Sequence, residues 1–119
     1  MKENVVRDKS KAFAIRIVRL YQYLCNDKKE YILSKQLLRS GTSVGANVKE
    51  ALRGQSKPDF SAKMSIALKE ISETEYWLEI LHETDYLNEA QFTSIYTDCQ
   101  ELLKILYSIV KTARKDNAL

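Results

Sequence analysis

The segment Ser34–Arg53 reads SKQLLRSGTSVGANVKEALR and is the part of the chain that decides the fold. Its apolar residues, among them Val44 and Val48, recur every three or four positions, which predicts an amphipathic helix. Gly41 and Gly45 lie along the same face, although a glycine inside a helix costs about 1 kcal/mol relative to alanine. Small residues four positions apart let a second backbone approach closely. We therefore predict that this helix packs tightly against another helix.

The same apolar spacing predicts three further helices. Ser34, Ser56 and Asn88 are predicted N-cap residues, and Gly54 is a predicted C′ glycine. The connections between these segments are short, so consecutive helices should be antiparallel neighbours. The sequence thus predicts an all-α fold, an up-down-up-down antiparallel four-helix bundle that forms a single domain over residues 1–119. The predicted helices span approximately residues 8–26, 34–53, 57–85 and 88–115.

The composition is that of an ordinary helical protein. Hydrophobic residues make up 45% of the chain, charged residues 29%, and only one proline and three glycines occur. The first eleven residues lack an apolar signal core, and charges interrupt every stretch of the length that a membrane span needs. We therefore expect a cytoplasmic protein with no membrane partner. Cys25 and Cys99 lie on apolar stripes, where we expect them to act as small hydrophobic side chains.

The net charge of +3 hides an asymmetry between the two halves of the sequence. Residues 1–57 carry 13 Lys/Arg and 5 Asp/Glu, a net charge of +8, whereas residues 58–119 carry 6 and 11, a net charge of −5. A basic half favours an anionic partner, complementary packing between the halves, or both.

Long cationic side chains on the first two helices suit contact with phosphates, and a nearby tyrosine could stack on an unpaired base. The alternative interpretation is a solvated charged face. The candidate nucleic-acid-binding residues are Lys9, Arg16, Arg19, Tyr23, Lys28, Lys29, Lys35, Arg39, Lys49 and Arg53.

The third helix carries more apolar surface than one bundle needs, which predicts self-association. The alternative is a wide core edge that the neighbouring helix covers. The candidate oligomer interface consists of Ile66, Glu70, Glu73, Tyr76, Trp77 and Ile80.

Catalytic and metal-binding patterns are weak. Glu79 and His82 have the Glu-x-x-His spacing of di-metal bundles, but such a site needs a second histidine, and His82 is the only one in the chain. No serine or cysteine is paired in sequence with a plausible base, and no glycine-rich phosphate loop follows a strand. We expect no enzymatic activity, no metal, no cofactor and no small-molecule substrate. For His82 we expect a contact with a glutamate at the bundle edge.

The stretches Leu38–Ala51 (LRSGTSVGANVKEA) and Glu75–Leu81 (EYWLEIL) resemble the bacterial 23S rRNA intervening-sequence proteins, the S23 or "four helix bundle protein" family, over the full length of the chain. The resemblance implies a small four-helix bundle that assembles as a ring-like homopentamer and has no assigned catalytic residue. It also implies a relationship to the accessory proteins of diversity-generating retroelements, which are basic pentamers that bind nucleic acid; the acidic second half departs from them. The family motif corresponds to Arg39, Ser40, Ser43, Ala46, Asn47 and Glu50.

Residues and resemblance together predict a non-enzymatic homo-oligomeric bundle that binds RNA or another nucleic acid through its basic N-terminal half. The alternative is a protein–protein interaction adaptor that binds no nucleic acid.

Overall fold

The computed structural model describes the backbone of residues 2–118 and the side chains of residues 3–116. Met1 and Leu119, which the predicted 1–119 domain includes, lie outside the described residues. Four helices follow one another along the chain: α1 (Lys2–Asn26), α2 (Leu33–Leu52), α3 (Lys57–Glu83) and α4 (Glu89–Ala118).

Each helix packs against the next, and α1 also contacts α4, although at fewer positions. The diagonal pairs α1/α3 and α2/α4 make no such contact within the described residues. The resulting bundle measures 49 × 22 × 20 Å. The predicted all-α four-helix bundle is confirmed.

The core is a continuous column of aliphatic side chains in which all four helices take part. Its positions follow the three-and-four spacing of the sequence, since that spacing keeps one face of each helix turned inward. The largest fully buried side chains include Phe13, Ile17, Leu24, Leu37, Met64, Ile71, Leu78, Leu81, Leu102 and Leu106.

The two helix-interior glycines of α2 allow α1 to approach closely, as predicted. A Cβ atom added at Gly41 would lie 2.8 Å from both γ-carbons of Ile17, which is fully buried. A Cβ atom added at Gly45 would lie 3.2 Å from the backbone oxygen of Ser10. Side chains at these two positions would therefore push α1 away from α2.

The predicted caps of α3 and α4 are confirmed, but the predicted cap of α2 is wrong. Ser56 Oγ accepts a hydrogen bond from the amide of Asp59, and Asn88 and Gln91 form a reciprocal capping box. Ser34, in contrast, is a buried residue inside α2. The acceptor at this terminus is the Glu30 carboxylate.

Glu30 satisfies the first amides of α2 from outside the helix. Its carboxylate accepts hydrogen bonds from the amides of Ile32, Leu33 and Ser34 at 3.2, 3.1 and 2.7 Å. Partial burial alone would raise the pKa of this carboxyl group, but these backbone donors lower it below its ordinary value. An acidic side chain four residues before Ser34 thus replaces the expected serine cap.

The helix ends differ from the predicted ones at several further places. α1 begins at Lys2 rather than near residue 8, because Val6 is fully buried in the core. Gly54 does not adopt a positive φ; the left-handed residues are Lys29 and Asp85, at φ 56° and 68°. Because Asp85 is left-handed, α3 ends at Glu83 rather than at residue 85. At its other end, α4 continues to Ala118 rather than ending near residue 115.

Asp85 closes α3 in a Schellman arrangement. Its amide donates to the backbone oxygen of His82, and the amide of Tyr86 donates to that of Leu81. The loop that follows is consequently short, which keeps α3 and α4 antiparallel.

A double-mutant cycle tests the close contact between α1 and α2. Gly41→Ala gains helix propensity worth about 1 kcal/mol but should lower the free energy of unfolding by about 1–2 kcal/mol in total, because overpacking costs more. Ile17→Ala removes both clashing γ-carbons, so the double variant should lose less than the sum of the single losses, by about 1 kcal/mol or more. Urea unfolding followed by circular dichroism measures all four proteins. Strictly additive losses would show that the two residues are not in contact.

A second stability prediction concerns Glu30. Glu30→Gln should lower the free energy of unfolding at neutral pH by about 1–2 kcal/mol, because an amide offers one acceptor oxygen to three donors. Since the folded pKa is lowered, the contribution is present above the ordinary carboxyl pKa and is lost as pH falls through the lowered value. The difference between the two proteins should therefore shrink below about pH 4. Asp27→Asn, an exposed carboxylate in the same loop, is the control.

Candidate nucleic-acid interface

Two of the predicted nucleic-acid-binding residues of α1, Lys9 and Arg16, are paired with acidic residues of α4. Lys9 Nζ lies 3.0 Å from Glu101 Oε1, and Arg16 Nη1 lies 2.6 Å from Asp98 Oδ2. Arg16 also donates to the backbone and side-chain oxygens of Ser94, at 3.2 and 2.8 Å. These ion pairs thus connect α1 with α4, which contact each other at few positions. They agree with the predicted complementary packing between the basic first half and the acidic second half of the sequence.

Arg39 likewise has partners within the chain, and they come from the predicted oligomer interface. Its guanidinium lies 3.1 Å from Glu70 Oε2 and pairs with Glu73 through the other terminal nitrogen. The indole of Trp77 donates to the same Glu73 carboxylate at 2.9 Å. These four side chains, here called the α2–α3 bridge, join residues that the sequence assigned to two separate surfaces.

The α2–α3 bridge shifts the pKa values of Glu73 and Arg39. The indole donor of Trp77, together with Arg39, lowers the pKa of Glu73 although partial burial opposes the shift. The hydrogen bond from Arg39 to Glu73 raises the pKa of the guanidinium in turn. Both shifts favour the charged forms, so the bridge is an ion pair at neutral pH.

A groove of about 640 Å³ runs between α1 and α2 on the side of the close glycine contact. Lys49 and Arg53, two of the predicted phosphate-binding residues, line it together with Arg7 and Lys11 from α1. Small and aliphatic residues also line it, including Ala14, Thr42, Gly45, Ala46 and Val48. Only one acidic residue, Asp8, lines it, and that carboxylate pairs with Arg7 at 3.0 Å.

Arg7 and Lys11 were not among the predicted site residues. The predicted residues Lys9 and Arg16 lie on a different face of α1, which contacts α4. The packing of α1 against Gly41 and Gly45 could have identified them, since it fixes which face of α1 borders α2.

The remaining predicted nucleic-acid-binding residues lie elsewhere. Lys28, Lys29 and Lys35 are exposed around the α1–α2 loop, at the end of the bundle opposite the groove's Arg53. Tyr23 is half-buried and packs against the core, so its ring is not a free stacking platform. Arg19 borders a shallow depression beside the exposed side chains Ile15 and Val18.

The predicted oligomer interface is partly covered and partly exposed. Ile66 and Tyr76 are 42% and 54% exposed, whereas Trp77 and Ile80 are half-buried. The rings of Tyr76 and Trp77 meet edge-on with centroids 5.2 Å apart. Glu70 and Glu73, as members of the α2–α3 bridge, face Arg39 of the same chain.

The motif residues of α2 mostly hold helices together. Ser40 accepts a hydrogen bond from Thr74 of α3 at 2.8 Å, and Glu50 pairs with Lys63 at 3.1 Å. Ser43 and Asn47 donate to backbone oxygens one turn earlier in α2. Ala46, the remaining member besides Arg39, lines the groove.

His82 contacts a glutamate, as predicted, but the glutamate belongs to α4. Its Nε2 lies 2.9 Å from Glu89 Oε2, and its ring stacks on Phe92 with centroids 4.0 Å apart. Glu79 instead accepts a hydrogen bond from Tyr96 at 2.6 Å. Among the described side chains, no group of three or more His, Cys, Asp or Glu residues is arranged to hold a metal ion.

The two cysteines differ in environment. Cys99 is buried, and desolvation raises the pKa of its thiol to about 12, which keeps it protonated. Cys25 is half-buried, with its sulfur 3.7 Å from Ser34 Oγ. Within residues 2–118, no helix is both long enough and apolar enough to cross a membrane.

The fold and these surfaces define the chain as an all-α up-down-up-down four-helix bundle protein. The model of the 23S rRNA-intervening sequence protein family matches residues 2–108. The chain therefore belongs to the 23S rRNA-intervening sequence protein family. It is also similar to the crystal structure of a protein with unknown function from the S23 ribosomal protein family of Bacteroides thetaiotaomicron, at 57% identity and a TM-score of 0.91, over 93% of this chain and 99% of that one. No protein with a curated description matches the chain.

The α2–α3 bridge can be tested through the titration of Glu73. Arg39→Gln should raise the pKa of Glu73 toward its ordinary value and lower the free energy of unfolding by about 1 kcal/mol or less, because the guanidinium is half exposed to solvent. NMR detection of the side-chain carboxyl carbon measures the pKa. Lys35→Gln, which removes an exposed cation one turn earlier, should leave it unchanged. An unaltered pKa in the Arg39 variant would contradict the bridge.

Proposed function

We propose that this protein is a non-enzymatic RNA-binding bundle that contacts phosphates through the groove between α1 and α2. The observation that carries the proposal is the set of cations that line this groove together with small residues of α1 and α2. Lys11, Lys49 and Arg53 have no ion-pair partner within 4 Å among the described side chains, so their charges face solvent. A phosphate backbone could displace counterions there without breaking a salt bridge.

The proposed partner follows from the chemistry of the groove and from the family. Lysine and arginine contact phosphates without reading a base, so binding of this kind tolerates many sequences. The family is described by its connection to an intervening sequence in 23S rRNA. A ribosomal-RNA partner would be met in the bacterial cytoplasm, which is the location that we propose.

We further propose that the protein acts as a homo-oligomer, with a pentamer as the assembly that the family resemblance implies. Ile66 and Tyr76 support this proposal, because both are large hydrophobic side chains of α3 that are exposed on the monomer, and Tyr76 contacts the half-buried Trp77. We assign no substrate, cofactor or catalytic residue to the assembly.

RNA binding is tested by a salt titration with a labelled fragment of 23S rRNA. Affinity should fall steeply as salt rises, and Lys49→Gln with Arg53→Gln should reduce the slope of log K against log [salt] by about 2. Fluorescence anisotropy measures both quantities.

The matched control removes the same charge from cations that are already paired. Lys9→Gln with Arg39→Gln should change the slope much less, because Glu101 and the two bridge glutamates neutralise these side chains. If the wild-type protein binds no RNA, or binds with an affinity that salt does not alter, the proposal is wrong and the adaptor interpretation takes its place.

Self-association is tested with substitutions that keep the monomer core intact. Ile66→Asp with Tyr76→Asp should reduce the mass measured by light scattering, because charges would replace the exposed apolar surface. Tyr107→Asp, which alters a side chain of similar exposure on α4, should leave the mass unchanged. An unaltered mass in the first variant would exclude Ile66 and Tyr76 from the interface.

A further inference from the structure

Because the helices are antiparallel, the distribution of charge along the bundle differs from the distribution of charge along the sequence. Cross-helix contacts place Ser10 beside Gly45, Glu50 beside Lys63 and Lys9 beside Glu101. Residues 2–14, 43–70 and 101–118 therefore share one half of the bundle. Residues 15–42 and 71–100 share the other half.

These two halves have opposite charge. The first contains 13 Lys/Arg and 7 Asp/Glu, a net charge of +6, and is here called the basic end. The second contains 6 Lys/Arg and 9 Asp/Glu, a net charge of −3, and is here called the acidic end. The basic end includes the groove and also the last turns of α4, which belong to the acidic half of the sequence.

The cations without ion-pair partners follow the same division. Among the described side chains, the acidic end holds four of them: Arg19, Lys28, Lys29 and Lys35. The basic end holds nine: Lys11, Lys49, Arg53, Lys57, Lys69, Lys104, Lys111, Arg114 and Lys115. All four helices contribute to the second set, so cations surround the basic end rather than follow one face.

A cavity shows that the helix termini at the basic end lie together. It has a volume of about 320 Å³, and Glu3, Lys57 and Asp116 line it from α1, α3 and α4. The cations on the last turns of α4 are thus on the same end of the bundle as Arg53 and Lys57. An RNA strand bound in the groove can reach the cations of α4 by crossing the end of the bundle, which is only 22 × 20 Å in cross-section.

We propose that RNA docks on the basic end, from the α1–α2 groove across the α2–α3 loop to Lys111 and Lys115 of α4, while the acidic end stays free of RNA. This inference rests on the proposed RNA binding and locates it. Glu83, Asp85 and Glu89 share the acidic end with Lys28 and Lys29, so a phosphate there meets both signs of charge. The Debye length at physiological salt is about 8 Å, and the bundle is 49 Å long. Cations at one end therefore do not assist binding at the other.

Two charge-matched double variants test the position of the site. Lys111→Gln with Lys115→Gln removes two cations of the basic end that lie in the acidic half of the sequence. Lys28→Gln with Lys29→Gln removes two cations of the acidic end that lie in the basic half. Each side chain is exposed, so both variants should fold, which circular dichroism checks. The probe is a labelled fragment of 23S rRNA.

The inference predicts that the α4 variant loses about tenfold in affinity at moderate salt and about 2 in the salt slope, whereas the Lys28/Lys29 variant stays within twofold of the wild type. The reverse order, or equal losses, would overturn end-on docking. If the groove variant Lys49→Gln with Arg53→Gln weakens binding and the α4 variant does not, the groove remains the site and the extension onto α4 is wrong. If neither the groove variant nor the α4 variant weakens binding, the proposed function itself is wrong.

Discussion

The close approach of α1 to α2 is the constraint on which the other features depend. Gly41 and Gly45 place no side chain of their own between the helices, so the side chain of Ile17 and the backbone of Ser10 pack directly on the backbone of α2. This contact fixes which face of α1 borders α2 and which borders α4. As a result, Arg7 and Lys11 line the groove, whereas Lys9 and Arg16 form ion pairs with carboxylates of α4. The two glycines therefore determine which α1 cations form ion pairs with α4 and which line the groove, although these cations look equivalent in the sequence.

The sorting of charge has consequences for function. The ion pairs of Arg16 and Arg39 connect neighbouring helices. These two side chains are poor candidates for phosphate contact, because binding would have to break their ion pairs. Of the cations without an ion-pair partner among the described side chains, nine of thirteen lie at the basic end, and five of these nine belong to the acidic half of the sequence. The family motif has a mainly architectural role, since Arg39, Ser40 and Glu50 all contact α3.

Much of the fold could be predicted from sequence, because apolar spacing and the caps at Ser56 and Asn88 are local signals. The cap of α2 could not, since the Glu30 carboxylate reaches forward from a loop whose left-handed Lys29 no local pattern indicates. The candidate site was predicted only in part. Lys49 and Arg53 line the groove, but the pairing of Arg39 with Glu70 and Glu73 depends on the packing of α2 against α3. Which cations are neutralised is a tertiary property, and helical periodicity does not report it.

The most direct test of the account is an NMR titration of the isotope-labelled protein with the 23S rRNA fragment, which reports contacts residue by residue in the unmodified chain. We predict that backbone amide shifts change around residues 7–11, 49–57 and 111–115 and stay constant around residues 27–35 and 83–89. Shift changes concentrated at residues 27–35, or around Arg16, which pairs with Asp98 of α4, would contradict this prediction.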